Sequence, residues 1–164
     1  MWMKTFNVLF LCTGNSARSI MAEAMCSIES KGRMIGFSAG TKPYGSVNPY
    51  AVGEITRLGY PVDELRSKSW SEFATPDAPR MDFIITVCDE AAGEPCPVWP
   101  GKPVSAHWSF PNPVHIQGDD EARRWVFKQI AIGLSRRIQL MSSLPLEVLD
   151  RTALQYEIEH VAGD

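Results

Sequence analysis

The sequence predicts one α/β domain around a parallel β-sheet with helices on both faces, and three observations carry that prediction. Strand-like and helix-like segments alternate along the 164 residues, and crossover connections turn such alternation into parallel strands. Asn7-Val8-Leu9-Phe10-Leu11 is an almost unbroken apolar run, the pattern of a strand buried on both faces. Hydrophobic residues are 45% of the chain and charged residues 21%, a balance that supports one core and argues against disorder.

The elements follow in order. Ile20, Met21, Ala24, Met25 and Ile28 mark one face of a first helix, with Gly32 placed as its cap. Met34 to Ala39 reads as a short second strand ending at Gly40. Asn48-Pro49 opens a second helix, which buries Ala51, Val52, Ile55 and Leu58 and ends at Gly59. Ser67 to Phe73 reads as a short helix, Asp82 to Val87 as the third strand, with Cys88 directly after it, and Val104 to Trp108 as the fourth. Between the last two, residues 89–103 form a loop rich in Gly and Pro. Asp119 or Asp120 starts a long amphipathic helix carrying Phe127, Ile130, Ala131, Leu134, Ile138 and Met141. Pro145 divides it from a last helix over 146–161. Residues 1–164 are read as a single domain, with a core over 6–144 and a helical extension over 145–164. The extension's Leu146, Leu149, Leu154 and Ile158 either cover the core or pair with another chain.

Composition narrows the function. A net charge of −3 argues against a surface that coats nucleic acid. No apolar run approaches the ~20 residues that span a bilayer, and no signal-peptide pattern precedes the first strand. The expected location is the cytoplasm. There, Cys12, Cys26, Cys88 and Cys96 are not expected to form a disulfide framework. In parallel sheets a ligand binds beyond the carboxyl ends of the strands. Cys12 and Cys88 follow the first and third strands, so both thiols are expected to open into one crevice if those strands are neighbours.

Cys12-Thr13-Gly14-Asn15-Ser16-Ala17-Arg18-Ser19 is the segment with the clearest chemistry. A small-residue loop that feeds a helix wraps its N–H groups around a tetrahedral oxyanion. Gly14 and Asn15 are the types that tolerate left-handed backbone, and Arg18 can grip two anion oxygens in fork geometry. A thiol between a helix N-terminus and a cation is a strong nucleophile, with Ser19 placed to donate a hydrogen bond to it. Substrate contacts are assigned to Thr13, Gly14, Asn15, Ser16, Ala17 and Arg18.

The run from Val8 to Ser19, with Met21-Ala22-Glu23 after it and Ser38-Ala39-Gly40-Thr41 later, resembles the low-molecular-weight protein tyrosine phosphatase superfamily. Cys88-Asp89-Glu90, Cys96-Pro97 and His107-Trp108 are similar to its thioredoxin-coupled arsenate reductase branch. The resemblance covers about residues 6–144. It implies a phosphatase-I-like, three-layer fold with a four-stranded parallel sheet of order 2-1-3-4, a Cys12 nucleophile and an Arg18 oxyanion clamp. It also implies a relay in which Cys12 attacks arsenate, Cys88 attacks Cys12 and Cys96 attacks Cys88. No cofactor is required beyond an external thiol reductant, thioredoxin or a glutathione and glutaredoxin system. The partners are an arsenate or phosphate oxyanion and that reductant, with no nucleic acid or membrane, and the chain is expected to be a monomer. A potassium ion near Asn15, Glu23 and Ser38 is a further implication; no other metal is expected, since Cys88, Cys96 and His107 lack the paired spacing of a zinc site.

One position departs from the family pattern. Its aspartate general acid is replaced by Asn112 in Phe110-Pro111-Asn112-Pro113, and an amide cannot deliver a proton at neutral pH. General acid catalysis contributes about 10²–10⁴-fold, and its loss hurts ester hydrolysis most. Asn112 therefore tilts the reading toward arsenate reduction over hydrolysis of phosphotyrosine or aryl phosphate, with a weakly catalytic oxyanion or redox sensor as a third alternative. Asp119 and Asp120 are read as helix caps rather than substitute acids. Cys26 is read as a packing thiol, His107 as strand-end packing, and His115 and His160 as surface residues.

Overall fold

The computed structural model describes residues 4–93 and 99–161. Its sheet has four parallel strands, β1 (Phe6–Cys12), β2 (Met34–Gly40), β3 (Phe83–Thr86) and β4 (Val104–His107), in the order β2-β1-β3-β4. Helices α1 (Arg18–Glu29), α2 (Pro49–Leu58), α3 (Asp89–Ala92), α4 (Asp120–Ser142) and α5 (Arg151–Glu159) intervene and follow. The reversal of order between β2 and β3, on either side of β1, opens the crevice at the carboxyl end of β1.

β1 is central because both of its faces are apolar. Alternation along the strand sends Val8 and Phe10 to one face and Leu9 and Leu11 to the other, and all four are fully buried. Val8 and Phe10 meet the inward residues of α1, α4 and α5, among them Ile20, Met21, Leu134, Ile138 and Ile158. Leu9 and Leu11 meet a smaller cluster of Phe73, Met81, Ile84 and Trp99. Among the described residues the second face is covered by a 3₁₀ turn, Trp70–Phe73, with Trp99 edge-on to Trp70.

Several boundaries differ from the expected ones. Helix α1 ends at Glu29 with Ser30 as its cap, and Gly32, at φ 81°, turns the chain two residues further on. Ile28 is exposed, so it belongs to the outer face of α1. The last helix starts at Arg151, not 146, because the Asp150 carboxylate accepts from Ala153 N–H at 2.9 Å and caps it there. Leu146 is buried in the preceding turn, and Leu154 and Ile158 face the core; α5 therefore covers the sheet at β4. At the start of α4, Asp119 is the cap, accepting from Ala122 N–H, and Asp120 accepts from the Tyr50 hydroxyl and pairs with Arg124. Within the expected 89–103 loop, α3 begins immediately after Cys88.

Candidate active site

The loop between β1 and α1 is shaped by where its carbonyls go. Cys12, Thr13, Gly14 and Ser16 C=O accept from the N–H groups of Thr41, Lys42, Tyr44 and Asn48, at 3.2, 2.9, 2.8 and 2.8 Å. In a trans peptide the carbonyl and the following N–H point in opposite directions. The amides of Thr13, Gly14, Asn15 and Ala17 are thereby turned away from the 41–48 segment. Asn15 N–H illustrates this directly, donating to Cys12 Sγ at 3.2 Å. Asn15 takes the left-handed conformation, φ 47°, whereas Gly14 does not; its side chain is fully buried. The smallness of Gly40 is a steric need: a Cβ there would stand 2.5 Å from Thr13 O.

Around the sulfur the polar contacts are ordered. Asn15 Nδ2 donates to Ser19 Oγ at 2.7 Å, and Ser19 Oγ lies 2.8 Å from Cys12 Sγ. With Asn15 donating into its oxygen, the Ser19 hydroxyl keeps its own proton free to donate to a Cys12 thiolate. Arg18 is 93% buried, not a surface residue, and its Nη1 donates to Phe110 O at 2.9 Å. A cavity of about 270 Å³ is lined by Cys12, Thr13, Gly14, Ser16, Ala17 and Arg18, with Lys42, Tyr44, Glu90, Asn112, Val114 and His115 completing its wall. Asn112 is there as expected, with its Oδ1 accepting from Val114 N–H at 3.1 Å to cap the turn 113–115. His115 is exposed, as expected, and also lines this cavity.

Cys88 is placed differently from the expectation of two thiols sharing one crevice. It is fully buried and absent from the cavity lining, with its Sγ 3.6 Å from Thr13 Oγ1. The strand register explains this: Leu11 pairs with Thr86, so Cys88 emerges level with Thr13, one residue past Cys12, and Thr13 covers it. Cys96 lies outside the described residues. Cys26 is a packing thiol, fully buried beneath Gly36, and burial pushes its thiol far up from the ordinary cysteine range.

The expected potassium position holds a side chain instead. Lys68 Nζ sits 3.3 Å from Ser38 Oγ, 3.5 Å from Glu23 Oε1 and 3.0 Å from Arg66 O, while Lys68 N–H donates to Asn15 Oδ1 at 2.9 Å. An ammonium ion thus takes the place proposed for the cation, and it ties the segment 66–69 to the anion loop through Asn15. Burial lowers the Lys68 pKa, and the Glu23 carboxylate partly offsets it. Lys68→Met is expected to cost on the order of 2 kcal/mol in urea unfolding, less than the ~3–5 kcal/mol of a fully buried broken pair because Glu23 keeps some solvent. Exchanging sodium for potassium is expected to leave the wild type unchanged in the same experiment.

His107 and Asp89 were also missed as partners. His107 lies 2.7 Å from Thr86 Oγ1 and 2.8 Å from Asp89 Oδ1. The His107 hydrogen bond foremost, then one from Ser109 and the charges of His107 and Arg18, hold the Asp89 carboxyl below its usual range. The histidine pairing follows from the parallel register of Thr86 with His107, which no local motif reveals.

A thiol at the end of β1 that accepts from a loop amide and a buried arginine share one cavity, an arrangement that suits a tetrahedral oxyanion held beside a cysteine. The profile of the low molecular weight phosphotyrosine protein phosphatase family matches residues 7–148. The chain belongs to that family. It is 33% identical over 132 residues to an arsenate reductase of Halalkalibacterium halodurans, an alignment covering 80% of this chain and 91% of that one. Among solved structures, an arsenate reductase of Archaeoglobus fulgidus is 27% identical with a TM-score of 0.59, over 80% of this chain and 98% of that one. A thioredoxin-dependent arsenate reductase of Corynebacterium glutamicum shares the fold, with a TM-score of 0.57 and 22% identity over 85% of this chain and 61% of that one. No helix among the described residues is long and apolar enough to cross a membrane.

Proposed function

We propose that this chain reduces arsenate to arsenite with thiols alone. The observation that carries the reading is the second thiol: Cys88 stands at the end of the strand beside that of Cys12, in contact with Thr13 of the anion loop. The arsenate reductases among its relatives support the same substrate.

In the first step the Cys12 thiolate attacks arsenic. An S–As bond forms, an As–O bond breaks, and hydroxide leaves and is protonated to water. The loop amides and Arg18 hold the remaining oxygens as charge shifts. Next the Cys88 thiolate attacks Cys12 Sγ: the S–S bond forms, the S–As bond breaks, and its electron pair stays on arsenic. As(V) becomes As(III), arsenite leaves, and the two thiols have supplied both electrons. Cys96 then attacks Cys88, which frees the Cys12 thiolate and leaves a Cys88–Cys96 disulfide. An external dithiol restores it; thioredoxin is the first candidate, a glutathione and glutaredoxin system the second. No potassium is needed in this scheme, and the setting is a monomer in the cytoplasm.

The test is a coupled assay with arsenate, thioredoxin, thioredoxin reductase and NADPH. Wild type is expected to consume NADPH, and Cys88→Ser and Cys96→Ser are each expected to stop it. Turnover that survives Cys88→Ser would contradict the relay. A second reading, aryl phosphate hydrolysis, is favoured by the part of the cavity beyond the anion loop, walled by Tyr44, Val114 and His115, where a leaving group fits. Asn112→Asp tests it: if hydrolysis is the native reaction lacking only its acid, aryl phosphate turnover rises by about 10²-fold or more.

A further inference from the structure

We propose that His107 is a positioning residue that locks Cys88 in its sheltered place and must release it for exchange with Cys12. The inference rests on the relay proposed above and names the part of the fold that controls its second step.

The imidazole is joined at both nitrogens to residues that flank Cys88. Nδ1 lies 2.7 Å from Oγ1 of Thr86, two residues before the cysteine, and Nε2 lies 2.8 Å from Oδ1 of Asp89, the residue after it. An ionised carboxylate only accepts, so Nε2 carries the proton that Asp89 receives. In the neutral ring Nδ1 then accepts from the Thr86 hydroxyl. The ring therefore staples the first residue of α3 to the end of β3, with Cys88 between the two fixed points. Its own anchor is rigid: the next residue, Trp108, is fully buried and its Nε1 donates to Ile158 O at 2.8 Å.

Cys88 is sheltered in this position. It is fully buried, and Thr13 Oγ1 stands 3.6 Å from its sulfur. A disulfide requires sulfurs about 2.05 Å apart in a narrow range of geometries. In the relay Cys88 leaves its niche; α3 is only four residues long, and the tie at Asp89 restrains its first turn together with the Ser109 hydrogen bond to the same carboxylate and the buried Ala91. The Asp89 side chain is 78% exposed, which places that tie in contact with water and makes it reversible. The same bond that keeps a reactive thiol from adventitious oxidation is the one that opens for the relay.

The test reads Cys88 without arsenate. Alkylation by iodoacetamide is followed at each cysteine by peptide mass spectrometry in wild type, Asp89→Ala, His107→Phe, the double variant and His107→Gln. Cys26, in the core, reports general loosening. The expected result is Cys88 labelling roughly tenfold faster in Asp89→Ala and His107→Phe, the scale of one net hydrogen bond, with Cys26 unchanged. The double variant is expected to fall well short of the product of the two single effects, because both remove the same bond, and His107→Gln, whose amide both donates and accepts, to return most of the way to wild type. Single-turnover formation of the Cys12–Cys88 disulfide is expected to accelerate in Asp89→Ala. Unchanged Cys88 labelling, or labelling of Cys26 that rises in step, would overturn the proposal. Failure of the relay itself has a separate signature, arsenate turnover that survives Cys88→Ser.

Discussion

Cys12→Ser is expected to lose arsenate turnover by about 10⁴-fold or more, the scale seen when an enzyme's nucleophile is removed. Serine fits the site: its hydroxyl keeps an oxygen near Asn15 N–H and Ser19 Oγ, the two groups that now contact the sulfur. The chemistry does not survive, because an alcohol is a far weaker nucleophile than a thiolate and has no sulfur for Cys88 to attack. The loop's shape rests on carbonyl bonds to residues 41–48 and on the Asn15 side chain, which the substitution leaves in place. Phosphate binding, measured by calorimetry, is therefore expected to persist in the variant. Loss of both binding and turnover would mean that the sulfur shapes the loop rather than reacting from it.

Trp108→Ala carries the largest expected effect on stability, about 3–5 kcal/mol in urea unfolding. Among the described residues the side chain is the largest that is fully buried, and its ring lies 6.0 Å from that of Phe10 on the central strand. Its indole N–H is a partner of Ile158 O, so the alanine variant leaves both a cavity and an unpaired carbonyl near the end of α5. Trp108→Phe fills most of the space, leaving a small void and the unpaired carbonyl, for about 1–3 kcal/mol. Equal losses for the two variants would show that packing against Phe10 matters less than the tie to α5. That tie also explains the role of the C-terminal helix, which caps the β4 end of the sheet where His107 projects.

What could be read from the sequence was local. The anion loop is one contiguous segment between a strand and a helix, so Cys12, Arg18 and Ser19 could be placed by spacing and residue type alone. The strand order and the burial of β1 follow from the apolar run at Val8–Leu11 and the family resemblance. What escaped depends on contacts across the fold. Lys68 reaches Glu23 and Ser38 from a separate segment, and a lone lysine in a loop carries no sign that its ammonium will be buried. His107 finds Asp89 only because β3 and β4 pair in a particular register. The thiols of Cys12 and Cys88 were correctly placed on neighbouring strand ends, yet a register difference of one residue puts Thr13 over Cys88. Ile28 fits the helical period and is still exposed, because α1 turns that edge away from the core.

The central claim is that Cys12 and Cys88 act in sequence on one arsenate. It is tested most directly by trapping the intermediate in Cys96→Ser, where the last exchange cannot occur. The reduced variant is mixed with excess arsenate and no reductant, quenched in acid and digested without reduction, while arsenite is counted in the same sample. The account predicts a Cys12–Cys88 disulfide peptide and one arsenite per protein. Arsenite released without that disulfide, or an intact protein with both thiols free and no arsenite, would contradict it.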